Sequence, residues 1–209
     1  LDRSPIEQYA VWLTNLAQGE LGRSLISGRP ITEELKTRLP VTFQLGLMGL
    51  LIAILISIPV GVISAIRQDR AVDYVGRSIA IVLLATPSFW IALLAITYGF
   101  IFFGWTPPLK YSPPWENLSE NLRVLWVPAI ILGTHASGTI MRITRATVLE
   151  VLRQDYVRTA WAKGLRERVV ILRHGLRNAI IPVITVIGLQ IPPLLGGTVI
   201  LERIFSIPG

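Results

Sequence analysis

Few residues in this 209-residue sequence are of types that carry out covalent chemistry. It contains no cysteine, which excludes thiolate catalysis, thiolate zinc sites and a disulfide framework. No HExxH, Gly-x-Ser-x-Gly or Gly-x4-Gly-Lys-Ser/Thr pattern occurs, so no catalytic residue, metal site or ATP phosphate loop is assigned. What remains is the chemistry of recognition. Residues 142–178 hold nine Arg or Lys against three acids, with Tyr156 and Trp161 set among Arg158, Lys163, Arg166 and Arg168. Such a basic and aromatic cluster suits an acidic partner surface or an anionic lipid surface. Four larger polar side chains, Gln44, His135, Thr185 and Gln190, interrupt otherwise apolar sequence. Polar groups in apolar segments are functional candidates. No acid shares their stretches, so His135 is read as hydrogen-bonded across helices rather than as a proton relay.

The elements that position these residues follow from composition. Half of the chain is hydrophobic (52%), only 16% is charged, and the mean hydropathy is +0.57. That is too apolar for a water-covered domain and too charge-poor for disorder. Four stretches carry no Asp, Glu, Lys or Arg: 41–66, 78–103, 124–141 and 179–201. Crossing a bilayer takes about 20 apolar residues, so each is read as a span of an all-α polytopic membrane protein. The net charge of +7 is concentrated on alternate loops, which argues against nucleic-acid binding. Lys and Arg favour loops 67–77 and 142–178, placing them in the cytoplasm. Residues 1–40, the Pro- and Trp-rich loop 104–123 and the C-terminal end then lie outside, with Ser112 expected to be accessible there. Residues 1–40 are read as an extracytoplasmic segment following a missing first span, and 41–209 as a transmembrane domain lacking a last one.

Within the spans, Gly49, Ala53, Ser57, Gly61 and Ala65 form a ridge of small residues at four-residue spacing, suited to close packing on a neighbouring helix. Pro59, Pro87, Pro128, Pro182 and the pair Pro192-Pro193, followed by Gly196-Gly197, mark bends, whether gating hinges or static kinks. Gln190 lies beside freed backbone and is a pathway candidate with Pro192, Pro193, Gly196 and Gly197. Loop 142–178 reads as two helices meeting at a glycine. The first has Leu149, Leu152, Tyr156, Ala160 and Trp161 on one face and stops at Lys163-Gly164. The second starts near Arg166 with Val169, Val170 and Leu172 as its apolar face, and Asn178 caps the following span. An amphipathic helix on lipid and a docking element for a cytoplasmic partner fit this pattern equally well.

The run Tyr156-Val-Arg-Thr-Ala-Trp-Ala-Lys-Gly-Leu165, then Arg173-His-Gly-Leu-Arg-Asn-Ala-Ile-Ile-Pro182, resembles the EAA loop of importer-type ABC permeases. It is similar in particular to the dipeptide/oligopeptide branch, which includes nickel and glutathione importers. Gly19-Glu-Leu-Gly-Arg-Ser24, Leu39-Pro-Val-Thr42, Thr86-Pro-Ser-Phe-Trp90 and Glu202-Arg-Ile-Phe205 fit the same branch, so the resemblance covers essentially the whole chain. Arg158 and Thr159 stand where the general motif has Glu and Ala, and Pro182 lies further beyond Gly164 than in sugar-type permeases. Both departures look like the peptide branch. The resemblance implies a type I ABC importer transmembrane fold in the cytoplasmic (inner) membrane, with four of six expected spans present. It implies a homologous second permease subunit, two cytoplasmic ATPase subunits and an extracytoplasmic solute-binding protein. It also implies no cofactor on this chain, ATP and Mg belonging to the ATPases. The coupling residues would be Tyr156, Arg158, Thr159, Ala160, Lys163, Gly164, Leu165, Arg166 and Arg168. An ion-coupled transporter or channel and a membrane-embedded enzyme are the competing classes.

Overall fold

A computed structural model describes residues 4–25 and 27–209, with His174 described by its backbone alone. Residues 1–3 and Ile26 of the expected outer segment lie outside the described residues. The described residues are helical apart from turns and one isolated antiparallel bridge, Arg23 to Pro30. The chain divides into two compact units, residues 1–41 with 208–209, and residues 42–207.

The first unit carries α1 (Pro5–Ala17). Proline at its first position and a reciprocal Ser4–Glu7 capping box satisfy its orphan amides and fix where it starts. Gly19, Gly22 and Gly28 then turn the chain through left-handed backbone, and Ser27 hydrogen-bonds Glu34. Helix α2 (Ile31–Ile66) begins in this unit, with Glu33 and Glu34 in its first turn, and runs into the second.

In the second unit the small-residue ridge of α2 packs on α5 (Leu118–Leu152). A Cβ on Gly61 would lie 2.8 Å from Thr144, and one on Gly133 of α5 would lie 2.6 Å from the Gly49 carbonyl oxygen. These helices meet backbone to backbone, the packing that small residues permit in lipid. Thirty-five residues make α5 about 52 Å long. That exceeds an apolar core of about 30 Å, so the helix runs beyond the charge-free run 124–141 to Leu152.

Two of the expected spans are divided into separate helices. The run 78–103 is divided between α3 (Ala71–Ala85) and α4 (Ser88–Phe103), bent by 96° at Thr86-Pro87. The run 179–201 is divided at Gln190 between α8 (Arg177–Leu189) and α9 (Ile191–Ile204). Pro59, Pro128 and Pro182, by contrast, sit inside α2, α5 and α8 without ending them. By length and composition, two of the described helices can cross a membrane, or up to four if α3 with α4, and the stretch 167–173 with α8, each count as one bent span. The chain is membrane-embedded.

The loop 142–178 also differs from expectation. After α5, a short α6 (Asp155–Ala162) is followed by Gly164 and a three-residue α7 (Glu167–Val169). The helix then widens into a π-helical stretch, Val170–Leu176, and continues directly as α8. Asn178 therefore caps nothing. It lies in continuous helix, and its Nδ2 donates to the Tyr156 hydroxyl at 2.8 Å. Ser112, expected to be open to the outside, is buried and donates to Glu120 at 2.6 Å.

Candidate functional site: a coupling turn and a cavity between broken helices

The break in the first helix as read from sequence comes earlier than Gly164. Arg153 ends α5 and Gln154, in extended backbone, opens α6, so Leu149 and Leu152 belong to a different element from Ala160. The buried face of α6 is Val157 and Ala160, packed on Val170, Val151 and Leu152. Tyr156 and Trp161 are exposed, which corrects the expected apolar face. In the second helix Val170 and Ile171 are buried while Val169 and Leu172 are exposed, because the widened coil shifts which residues face inward. The small size of Ala160 thus serves packing within this chain.

The stop at Lys163-Gly164 forms as its chemistry requires. Gly164 has φ +73°, and its N–H donates to the Trp161 carbonyl while the Leu165 N–H reaches the Ala160 carbonyl. A left-handed residue closes the helix by satisfying its last carbonyls. Arg158, Thr159, Lys163, Leu165, Arg166 and Arg168 are exposed around this turn. Of the two described acids nearby, Asp155 pairs with Arg158 at 3.6 Å, both groups being open to solvent. Val157 and Ala160 anchor the turn, the Asn178 bond ties it to α8, and its basic rim faces away from the chain.

The second constellation lies in the helical bundle. A cavity of about 170 Å³ is lined by Ser88, His135, Thr139, Gln190, Pro193 and Gly197 among others. Both helix breaks open onto it, since Ser88 starts α4 and Gln190 separates α8 from α9. Pro192 and Pro193 have no N–H, so the Gly188 and Leu189 carbonyls receive no amide one turn on. Among the pathway candidates the structure brings Gln190, Pro193 and Gly197 together. Pro192 and Gly196 are exposed on the other side of α9, and a Cβ on Gly196 would meet nothing within 4 Å.

His135 explains how the bend at Pro87 is held. In unbroken helix the Leu83 carbonyl would accept from residue 87, which is proline and has no donor. His135 Nδ1 on α5 sits 3.2 Å from that oxygen. A carbonyl only accepts, so Nδ1 carries the proton and the bond replaces the missing amide.

Two polar groups escaped the sequence reading. Asp73 is fully buried in α3 and gripped bidentately by Arg145 of α5 at 2.6 and 2.7 Å. Ser64 Oγ and the Asp69 N–H fill its remaining acceptor positions. Glu202, just past the last charge-free run, is buried near the end of α9. Both acids lie just outside the charge-free runs, within helices that extend past them. Asp73 was hidden because it sits in an otherwise ordinary charged loop sequence, with no spacing signal linking it to Arg145. Gln44 donates to Asn121, which also donates to the Ser112 carbonyl, so Gln44 tethers α2 to the outer loop.

Long apolar helices, breaks in the helical runs beside one cavity, and an exposed basic turn describe a helical membrane protein. Residues 57–209 match the model of the family described as binding-protein-dependent transport system inner membrane component, and the chain belongs to that family. Its fold is that of the type I ABC importer permeases. The chain is 42% identical over 205 residues to an oligopeptide transport system permease protein of Bacillus subtilis, covering 97% of this chain and 65% of that one. It is 38% identical over 222 residues to a dipeptide transport system permease protein of Alkalihalophilus pseudofirmus, covering 97% and 67%. A glutathione transport system permease protein of Pectobacterium atrosepticum is 37% identical over 209 residues, covering 100% and 66%. The chain thus spans about two thirds of the length of these relatives.

Proposed function

We propose that this chain is a permease subunit of an ATP-driven, binding-protein-dependent importer that carries di- or oligopeptides across the cytoplasmic membrane. The observation that carries the reading is the turn at Gly164, with a basic and aromatic rim exposed and its apolar side anchored in the chain. A helix lying on lipid buries its apolar face in the bilayer. Here that face packs on Val170, and the exposed Lys163, Arg166 and Arg168 present their charge to an acidic cleft. In this reading the partners are a homologous second permease subunit, two ATPase subunits that bind ATP and Mg, and an external solute-binding protein. The cavity at Gln190 and His135 belongs to the translocation pathway. The names of relatives support peptides as cargo, with glutathione, itself a peptide, or a nickel complex as the alternative. Identifying the compound that the cognate binding protein retains on purification separates these.

Gly164→Asp tests the coupling role. A Cβ there meets nothing within 4 Å, so the cost within this chain is confined to its left-handed backbone, about 1–2 kcal/mol. The variant should insert and fold, yet lose pull-down of the ATPase subunits and substrate-stimulated ATP hydrolysis. Normal values of both would return the turn to the lipid-surface reading.

A further inference from the structure

We propose that a pocket between α3 and α5, at the level of Arg77 and Arg142, binds an anionic phospholipid of the cytoplasmic leaflet. The pocket has a volume of about 220 Å³. Its polarity is graded the same way on two antiparallel helices. On α3, Arg77 is followed by Ala80, Ile81 and Leu84 in the direction away from loop 67–77; on α5, Met141 precedes Arg142, Arg145 and Ala146, which run towards loop 142–178. From Arg77 to Leu84 the helix rises about 10 Å, so charges at headgroup level stand above a wall at acyl-chain level. The helices touch at the deep end, where a Cβ on Gly138 would lie 2.9 Å from the Ala80 carbonyl oxygen. Ile81 is exposed and leaves the side of the pocket open.

Charge selects the occupant. Arg145 is neutralised by its bidentate grip on Asp73, whose oxygens are filled further by Ser64 and the Asp69 amide. Arg77 gains little from the same carboxylate, because its Nε is 3.6 Å away and is buried without a hydrogen-bond partner. Its guanidinium instead lies 4.6 Å above the Tyr74 ring. Arg142, exposed, adds a second positive charge, and no acid lines the pocket. A phosphate group meets both guanidiniums, and its acyl chains follow Ile81 and Leu84. Basic pockets between helices on the cytoplasmic side are suited to anionic headgroups, and the loop charges place this end inside.

The test uses the assembled transporter, extracted and exchanged into an equal mixture of phosphatidylglycerol and phosphatidylethanolamine, with bound lipid counted by native mass spectrometry. The double variant Arg77→Gln, Arg142→Gln should retain phosphatidylglycerol on the order of tenfold less, with phosphatidylethanolamine unchanged. The double Lys variant should keep most of the preference. Ile81→Trp leaves both charges in place but fills the open side, and it should also lower retention, which keeps the test decisive if the Gln variant assembles poorly. Unchanged phosphatidylglycerol retention in the Gln and Trp variants overturns the proposal. Equal loss of both lipids also overturns it, because the groove would then lack headgroup selectivity. Cross-linking of Ile81→Cys to the second permease subunit would overturn it too, assigning the pocket to a protein interface.

Discussion

A single hydrogen bond stands in for a missing backbone amide at the 96° bend between α3 and α4. Pro87 leaves the Leu83 carbonyl without its helical donor, and His135 supplies one from α5. His135→Ala should lower the stability of the purified protein by about 1–2 kcal/mol, read as a lower thermal midpoint in detergent. His135→Asn, with an N–H₂ near the position of Nδ1, should recover much of the loss. If Pro87→Ala lets α3 provide its own amide, His135→Ala should cost little in that background; equal costs in both backgrounds would show that the ring only fills space. The buried ion pair gives a second prediction. Arg145→Met strands a charge that is fully buried and should cost about 3–5 kcal/mol. Asp73→Asn in the same protein should restore most of this, since Asn carries no charge, can still accept from the Asp69 amide through Oδ1, and can donate from Nδ2 to the Ser64 hydroxyl. Thermal unfolding of the two variants decides it, and no recovery in the double variant would mean that the guanidinium itself supports the fold.

Among the elements, what could be read from sequence and what could not divide by the kind of force involved. The charge-free runs located the apolar helices because a bilayer imposes a length on them. The ridge from Gly49 to Ala65 announced close packing because only small side chains allow it, and α5 is the helix it meets. The left-handed stop at Gly164 was legible because so few residues adopt that backbone. The break at Arg153-Gln154 carried no Gly or Pro to mark it, so the face of α6 was assigned with the wrong phase. The π-helical stretch Val170–Leu176 had the same effect on the next helix, since it departs from the 3.6-residue repeat on which the reading depends. Prolines alone did not say which helices break: Pro128 and Pro182 stay inside theirs. Tertiary partners such as His135 make the difference. The glycines offer a paired test of this packing. Gly133→Ala places a methyl against the Gly49 carbonyl and Ile52, forcing α2 and α5 apart at a cost of about 1–3 kcal/mol. Gly196→Ala meets open space in a helix and should be neutral or slightly stabilising. Thermal midpoints measured side by side check the contrast, and a loss in Gly196→Ala equal to that in Gly133→Ala would show that the α2–α5 approach is not what limits stability.

For the molecule as a whole, the proposed function depends on which end of the helices faces the cytoplasm, because in that proposal the turn at Gly164 meets the ATPase from inside. The arginines provide the argument. Loops 67–77 and 142–178 hold most of them, whereas loop 104–123 has only Lys110 and Arg123, and short basic loops stay on the cytoplasmic side. The orientation is checked with single cysteines, introduced into a chain that has none. Ser112 is a poor position because it is 8% exposed and its hydroxyl is committed to Glu120. Leu109, on the same loop, is 80% exposed and carries an apolar side chain whose loss disturbs no packing. Leu109→Cys should therefore react with a membrane-impermeant maleimide in intact cells, and Arg166→Cys, on the rim of the Gly164 turn, should react only after the membrane is opened. The two positions must differ, because one apolar crossing by α5 separates their loops. Labelling of Arg166→Cys from outside, with Leu109→Cys protected, would invert the orientation and remove the Gly164 turn from reach of any cytoplasmic partner. It would also move the Arg77–Arg142 pocket to the outer leaflet.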